Sequence, residues 1–287
     1  MKSLIWTLLL IVLTGLTVSS QSANPPATTD EHKRIAEENR KIEEQNAAIS
    51  ASFKAGNEAY AQKNYDLAII EFSKGINAYP QHPGVSALLT NRSWAHISRG
   101  NDRFNAALSM TDAAGKVAMV ESAKMDWRTS AADSGRALTL ERAAPTKSNN
   151  FLGALNARAN ALRMVTTKID KTQLAAAIAA YKEYQSNQTN KAALLSAQRQ
   201  LALMIFQTGD PLAAAVEFES ILLSLPGDLD ATFYAGAVYA TAEDKTLQQK
   251  GATYLKNFLD RASQNDDHRR DAVDMLEYLK TVRVVPK

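Results

Sequence analysis

The stretch from Gly56 to Pro80, GNEAYAQKNYDLAIIEFSKGINAYP, decides how the rest of the chain is read. Ala68, Ile69, Phe72 and Ile76 recur at the three- and four-residue spacing that puts side chains on one helical face. Ala59 and Tyr60 do the same on the segment before, and Lys63-Asn64 lies between the two. Pro80 stops the second segment, because proline lacks the amide proton that a helix needs. The reading is a helical hairpin. Each of its helices has an apolar face, and two helices alone cannot bury both, so the hairpin requires neighbours.

Sliding the pattern along the chain finds them. Ala68, Phe72 and Pro80 recur 146 residues later as Ala214, Phe218 and Pro226. In the same register Gly56 falls on Ala202, Tyr60 on Phe206 and Asn64 on Asp210. Thirty-four residues beyond Ala202 is Gly236, thirty-four beyond Asn57 is Asn91, and thirty-four beyond Tyr60 is Trp94. In period and in the order small residue, aromatic, alanine, aromatic, proline, the chain resembles the tetratricopeptide-repeat family. Residues 51–82 and 195–226 carry the pattern best. Ser52 stands where the family often has tryptophan, and Ala202 replaces the glycine.

That resemblance implies an all-α fold: a right-handed superhelical array of helical hairpins, with about five degenerate repeats over 51–264 and a capping helix and tail over 265–287. The helix containing Ala272, Met275, Leu276 and Leu279 beside charged residues suits a cap, since a terminal repeat needs a polar outer face. The second unit departs from the period. About two dozen extra residues, at about 101–125, have helical composition and a turn signal around Ser109 to Asp112. They are read as a lengthened hairpin whose tip projects from the array, with a mobile loop as the alternative.

The N-terminal part differs in composition. MKSLIWTLLLIVLTGLTVSSQSANPPA runs from a lysine through an uncharged apolar core to small polar residues and prolines, the order of a secretory signal peptide. An apolar run of about 15 residues is short for the roughly 20 that span a bilayer. Residues 1–23 are therefore expected to be a cleaved signal peptide, with a short anchor as the alternative. The expected location is exported, periplasmic or secreted, or else membrane-anchored and facing outside the cytoplasm. Residues 24–50 read as a linker and a polar helix, with a possible capping box from Thr28 to Glu31. Ile35, Ile42 and Ile49 are spaced by seven, but Glu38 and Gln45 interrupt a coiled-coil seam.

Composition narrows the chemistry. The 287 residues carry a net charge of +3 and no cysteine. Disulfides, thiolate metal sites and cysteine nucleophiles are excluded, and no concentrated basic face argues for nucleic acid. The four histidines, His32, His82, His96 and His268, form no metal-binding pair. His82 and His268 are expected to be solvated, and His96, near Trp94, to be packed in a helix or to line a groove. Adjacent carboxylates such as Glu43-Glu44 diverge by about 100° on a helix and cannot work as a pair. No Gly-rich phosphate cradle is present, and the Asn91-Arg92-Ser93 and Asn187-Gln188-Thr189 sequons carry little weight. No catalytic residue, metal or cofactor is expected.

What remains is surface. In such an array the first helix of each pair lines the concave face, which projects Asn57, Tyr60, Asn91, Trp94, Arg199 and Phe206 into a groove. Amides pair with extended backbone and aromatics supply apolar area. Asn57 and Asn91 resemble part of the carboxylate clamp of some family members. However, Phe53 stands where the clamp's first lysine belongs, so that function is not carried over. The expected function is a non-catalytic, exported scaffold that binds a protein or peptide through its groove. A membrane-anchored assembly factor is the alternative, and an enzyme depending on His96 is an outside one.

Overall fold

The computed structural model describes residues 29–286. The segment read as a signal peptide, the linker prolines and Thr28 lie outside them. The described chain is all-α. Its eleven helices are α1 (Thr29–Ala61), α2 (Tyr65–Ala78), α3 (Val85–Leu108), α4 (Ala113–Ala143), α5 (Phe151–Lys168), α6 (Leu174–Asn187), α7 (Lys191–Thr208), α8 (Pro211–Ser224), α9 (Leu229–Ala240), α10 (Lys245–Arg261) and α11 (Arg269–Thr281). A short 3-10 turn, Lys171–Gln173, leads into α6.

The polar helix and the first helix of the opening hairpin are one continuous element. In its first four turns α1 is exposed and carries same-helix ion pairs, Lys41–Glu37 at 3.0 Å and Arg40–Glu44 at 3.9 Å. Burial begins at Ile49 and continues through Ser52, Gly56 and Ala59. A helix can run this far without support because four-residue Glu–Lys spacing stabilises it locally.

The turns that end α1 and α7 are built alike. Lys63, with φ 60°, and Gly209, with φ 104°, reverse the chain in the left-handed region. Asn64 and Asp210 then cap the following helix by accepting from the amides of Leu67 at 3.1 Å and Ala213 at 3.0 Å. The Asn64 amide returns to the Ala59 carbonyl and the Asp210 amide to that of Ile205; the Tyr79 amide bonds to Gly75 and the Leu225 amide to Ile221. Each pair is separated by the same 146 residues as Phe72 and Phe218, both fully buried.

Each helix packs on the next in sequence. In addition α1 touches α3, α3 touches α5, α5 touches α7 and α9 touches α11. The largest core runs from Ile49 of α1 to Ala214 of α8; a second joins α7 to α10, and a third, around Phe233, Leu255, Phe258 and Leu279, joins α9 to α11.

The longest contact is between α3 and α4, which turn at 109–112. Ser86, Ser93, Gly100 and Ala107 on α3, and Ala123, Ser130 and Ala137 on α4, are small, buried and spaced by seven. The backbones therefore come close. The Ser93 hydroxyl lies 2.8 Å from that of Ser130, and a Cβ on Gly100 would meet Trp127 Nε1 at 2.6 Å and the Ala123 carbonyl at 3.2 Å. Charged side chains flank this seam. Arg92 holds Asp133 through two 2.7 Å bonds. The Asp126 carboxylate, only 2% exposed, accepts from Arg99, from Arg103 at 2.9 Å and from His96 Nδ1 at 2.9 Å. Burial acts to raise the Asp126 pKa, but the bonds from His96 and Arg99 and the charges of Arg99 and Arg103 outweigh it and hold the carboxyl below its ordinary value.

Candidate functional site

Helix α5 lies between two apolar clusters. Ala154, Leu155, Ala159 and Leu162 enter the main core, while Ala161 and Met164 pack with Ile97 and Trp127. The face left over carries Asn156, Asn160 and Arg163, spaced by four and three, and so stacked along one side of the helix. This stripe forms the floor of an open cleft of about 390 Å³. Trp94 of α3 forms one wall, and Tyr181 and Tyr184 of α6 a second. Ser196 and Gln200 of α7 form the third. The volume falls within the range of sites that take a small ligand or a few side chains.

The hydrogen bonds inside the cleft run in one direction. The Tyr181 hydroxyl donates to Asn160 Oδ1 at 3.2 Å. Asn160 Nδ2 in turn donates to Asn156 Oδ1 at 2.9 Å and to the Asn156 carbonyl at 3.0 Å. Both asparagine oxygens are thus occupied by neighbours. Asn156 Nδ2 and the Trp94 indole N–H have no partner among the described residues.

Arg163 is the one cation among the residues lining the cleft, and no carboxylate is among them. Its Nε is buried without a hydrogen-bond partner, and it forms no ion pair with a described residue. Burial pushes the Tyr181 hydroxyl pKa up, and the charge of the nearby Arg163 and its side-chain hydrogen bond to Tyr181 act against that rise. Arg158 on the same helix is engaged instead, with the Ala131 carbonyl at 2.5 Å.

The six residues projected from the sequence fall in different places. Trp94 alone lines this cleft. Asn57 and Asn91 are half-buried on α1 and α3, with no side-chain hydrogen bond to a described residue. Tyr60 packs against the main core, and its hydroxyl meets Ser98 Oγ at 3.0 Å. Arg199 is engaged by two carboxylates, Asp228 and, at 3.5 Å, Asp230, and so ties α7 to the start of α9. Phe206 is 39% exposed near the end of α7.

The two histidines expected to be solvated are both half-buried. The His268 ring stacks on Phe233 at 4.2 Å between centroids and meets Tyr234 edge-on at 5.2 Å. A charged run, DDHRRD, concealed an aromatic contact made across the helix junction. His82 is half-buried and bonds to Asn46 and to the Gly84 amide, and His96 is buried against Asp126. Among the described residues, no group of three or more acidic or histidine side chains is placed to hold a metal, and no helix is long and apolar enough to cross a membrane. No protein-family model matches the chain, and no curated protein matches it.

Proposed function

We propose that this chain is a tetratricopeptide-like array of helical hairpins that works as a non-catalytic scaffold, binding an extended segment of another protein in the cleft floored by α5. The observation that carries the reading is the cleft itself. It lies where three alternate helices, α3, α5 and α7, come side by side, and it is lined by aromatic and amide groups around an arginine that has no carboxylate partner among the described residues. Such groups bind peptide backbone and side chains and need no reacting centre. The repeat reading is supported by the turns at Lys63-Asn64 and Gly209-Asp210, whose backbone bonds recur at the 146-residue offset. Alternating contacts, in which α1, α3, α5 and α7 touch in succession, are what stacked hairpins produce.

Photo-crosslinking tests the binding face. A benzoylphenylalanine at Ser196, in the cleft, is expected to trap a partner in cells. The same group at Val216, which is 62% exposed on α8, is expected to trap none. Equal products at both positions, or none at Ser196, would reject the cleft as the working face. We further propose that the protein acts outside the cytoplasm after cleavage of residues 1–23. A mature chain starting near residue 21 or 24 by mass spectrometry supports this. Retention in the membrane after a high-salt wash supports the anchored alternative.

A further inference from the structure

We propose that the exposed N-terminal part of α1 is a docking seam for an amphipathic helix whose apolar edge is flanked by lysine or arginine. This surface is separate from the cleft on α5.

The sequence here repeats every seven residues, as DEHKRIA (30–36), EENRKIE (37–43) and EQNAAIS (44–50). A helix in water gains nothing from a seven-residue period. A helix lying along another does, because seven residues return a side chain to a shared seam. The seam is uncovered: Ile35 is 42% exposed and Ile42 49%.

Two registers place the isoleucines in a seam whose facing positions are a and d. With isoleucine at a, Glu31 and Glu38 fall at d, where burial makes a carboxylate costly. With isoleucine at d, the a positions hold His32, Asn39 and Asn46, uncharged groups of a kind that seams tolerate. Burial by the rest of the chain agrees. Gln45 and Ala48 are half-buried whereas Asn46 is exposed, so the edge of isoleucine and asparagine is the open one. Glu38 and Gln45 then border the seam instead of interrupting it.

Charge chooses the occupant. In this register Glu38 at g and Glu43 at e stand on opposite sides of the seam, and no basic residue occupies either flank. The cations lie behind, where Lys33 meets Asp30 at 3.9 Å, Arg40 meets Glu44 at 3.9 Å and Lys41 meets Glu37 at 3.0 Å. The acids of the far face are thus paired within the helix. Glu38 and Glu43 have no hydrogen bond or ion pair with a described residue. A second copy of α1 would set Glu38 against Glu43 if parallel and against Glu38 if antiparallel, so the seam repels itself. A helix with lysine or arginine at its own flanks supplies the missing charges.

The full chain has no cysteine, so an introduced thiol is unique. Asn39→Cys puts it in the seam, and Glu37→Cys on the opposite face. Each variant is mixed with three-heptad peptides that have isoleucine seams and either lysine or glutamate at both flanks. A central seam cysteine in each peptide is carried as its mixed disulfide with thionitrobenzoate. The protein thiolate attacks the peptide sulfur, thionitrobenzoate leaves, and its absorbance gives the rate. Dividing the rate at position 39 by that at position 37 removes the intrinsic reactivity of each peptide.

That ratio is expected to be about tenfold higher for the lysine peptide than for the glutamate peptide. With Glu38→Lys and Glu43→Lys added to both variants the order is expected to invert; these positions are exposed, and circular dichroism checks that the helices persist. Equal ratios, or a lysine preference that the two substitutions leave unchanged, overturn the proposal. Asn39→Cys protein that oxidises to a disulfide dimer as fast as it captures the lysine peptide at equal concentration overturns it in favour of a second copy.

Discussion

A methyl group added at Gly56 would sit 2.3 Å from the Phe72 ring, inside any permissible contact. Phe72 is fully buried, so the ring has nowhere to move without opening the pair α1–α2. Gly56→Ala is therefore expected to destabilise the protein by about 1 to 3 kcal/mol despite its gain in helix propensity, read as a lowered urea midpoint at unchanged slope. Asp126 gives the residue-scale prediction for pH. Its carboxyl is held below the ordinary carboxylate range, so its contribution is fully present above the unfolded value of about 3.9 and is lost as pH falls from there through the folded value. The wild-type urea midpoint is expected to drop more steeply between pH 5 and pH 3 than that of Asp126→Asn, which is already weakened at neutral pH by its uncompensated arginines. The glycine was legible in the sequence because close approach is part of a repeating pattern. The carboxylate was not, since Asp126 meets its partners from 23 to 30 residues away and nothing local distinguishes it from a solvated aspartate.

Six of the helix starts are marked by one device. Asn64, Asp112, Asn190, Asp210, Asp228 and Asp244 each accept from the amide three residues on. Two of them make an instructive pair. Asp210 is exposed and does nothing but cap, so Asp210→Ala is expected to cost about 1 kcal/mol. Asp228 is buried and also holds Arg199; Asp228→Ala is expected to cost about 2 to 3 kcal/mol, with Arg199→Met recovering part of the difference in the double variant. A double-mutant cycle of thermal or urea unfolding measures that coupling. The hairpins themselves were legible, because apolar residues at helical spacing and proline stops are local signals. The cleft was not. Asn156, Asn160 and Arg163 form a polar stripe on an alanine-rich helix, a signal visible at spacings of four and three. However, the wall opposite comes from α3, α6 and α7, and no local pattern states which helices will face one another. Arg199 was placed in the groove for its register, and its acidic partners on the next helix draw it into a junction instead.

Across the whole molecule, contacts stay close to the sequence order, and the cores follow one another rather than merging. The Phe233–Leu255–Phe258 cluster of α9 to α11 is separate from the one that begins at Ile49. Leu255 is fully buried, and Leu255→Ala is expected to cost about 2 to 5 kcal/mol locally. By hydrogen exchange, protection should fall in α9, α10 and α11 while α1 and α2 keep theirs; a uniform loss along the chain would mean that the cores melt as one. The pairing of α3 with α4 adds a constraint on assembly. Small residues every seventh position would fit almost as well after a slip of seven, because serine, glycine and alanine are nearly interchangeable in a narrow seam. The ion pairs are not. Arg92 with Asp133 and Arg99 with Asp126 share one register, and a slip by one heptad leaves one arginine and one aspartate stranded. The seam allows the two helices to meet, and the charges act as a vernier that admits a single alignment. Misassembly is thereby discouraged even before the rest of the chain has folded around the pair.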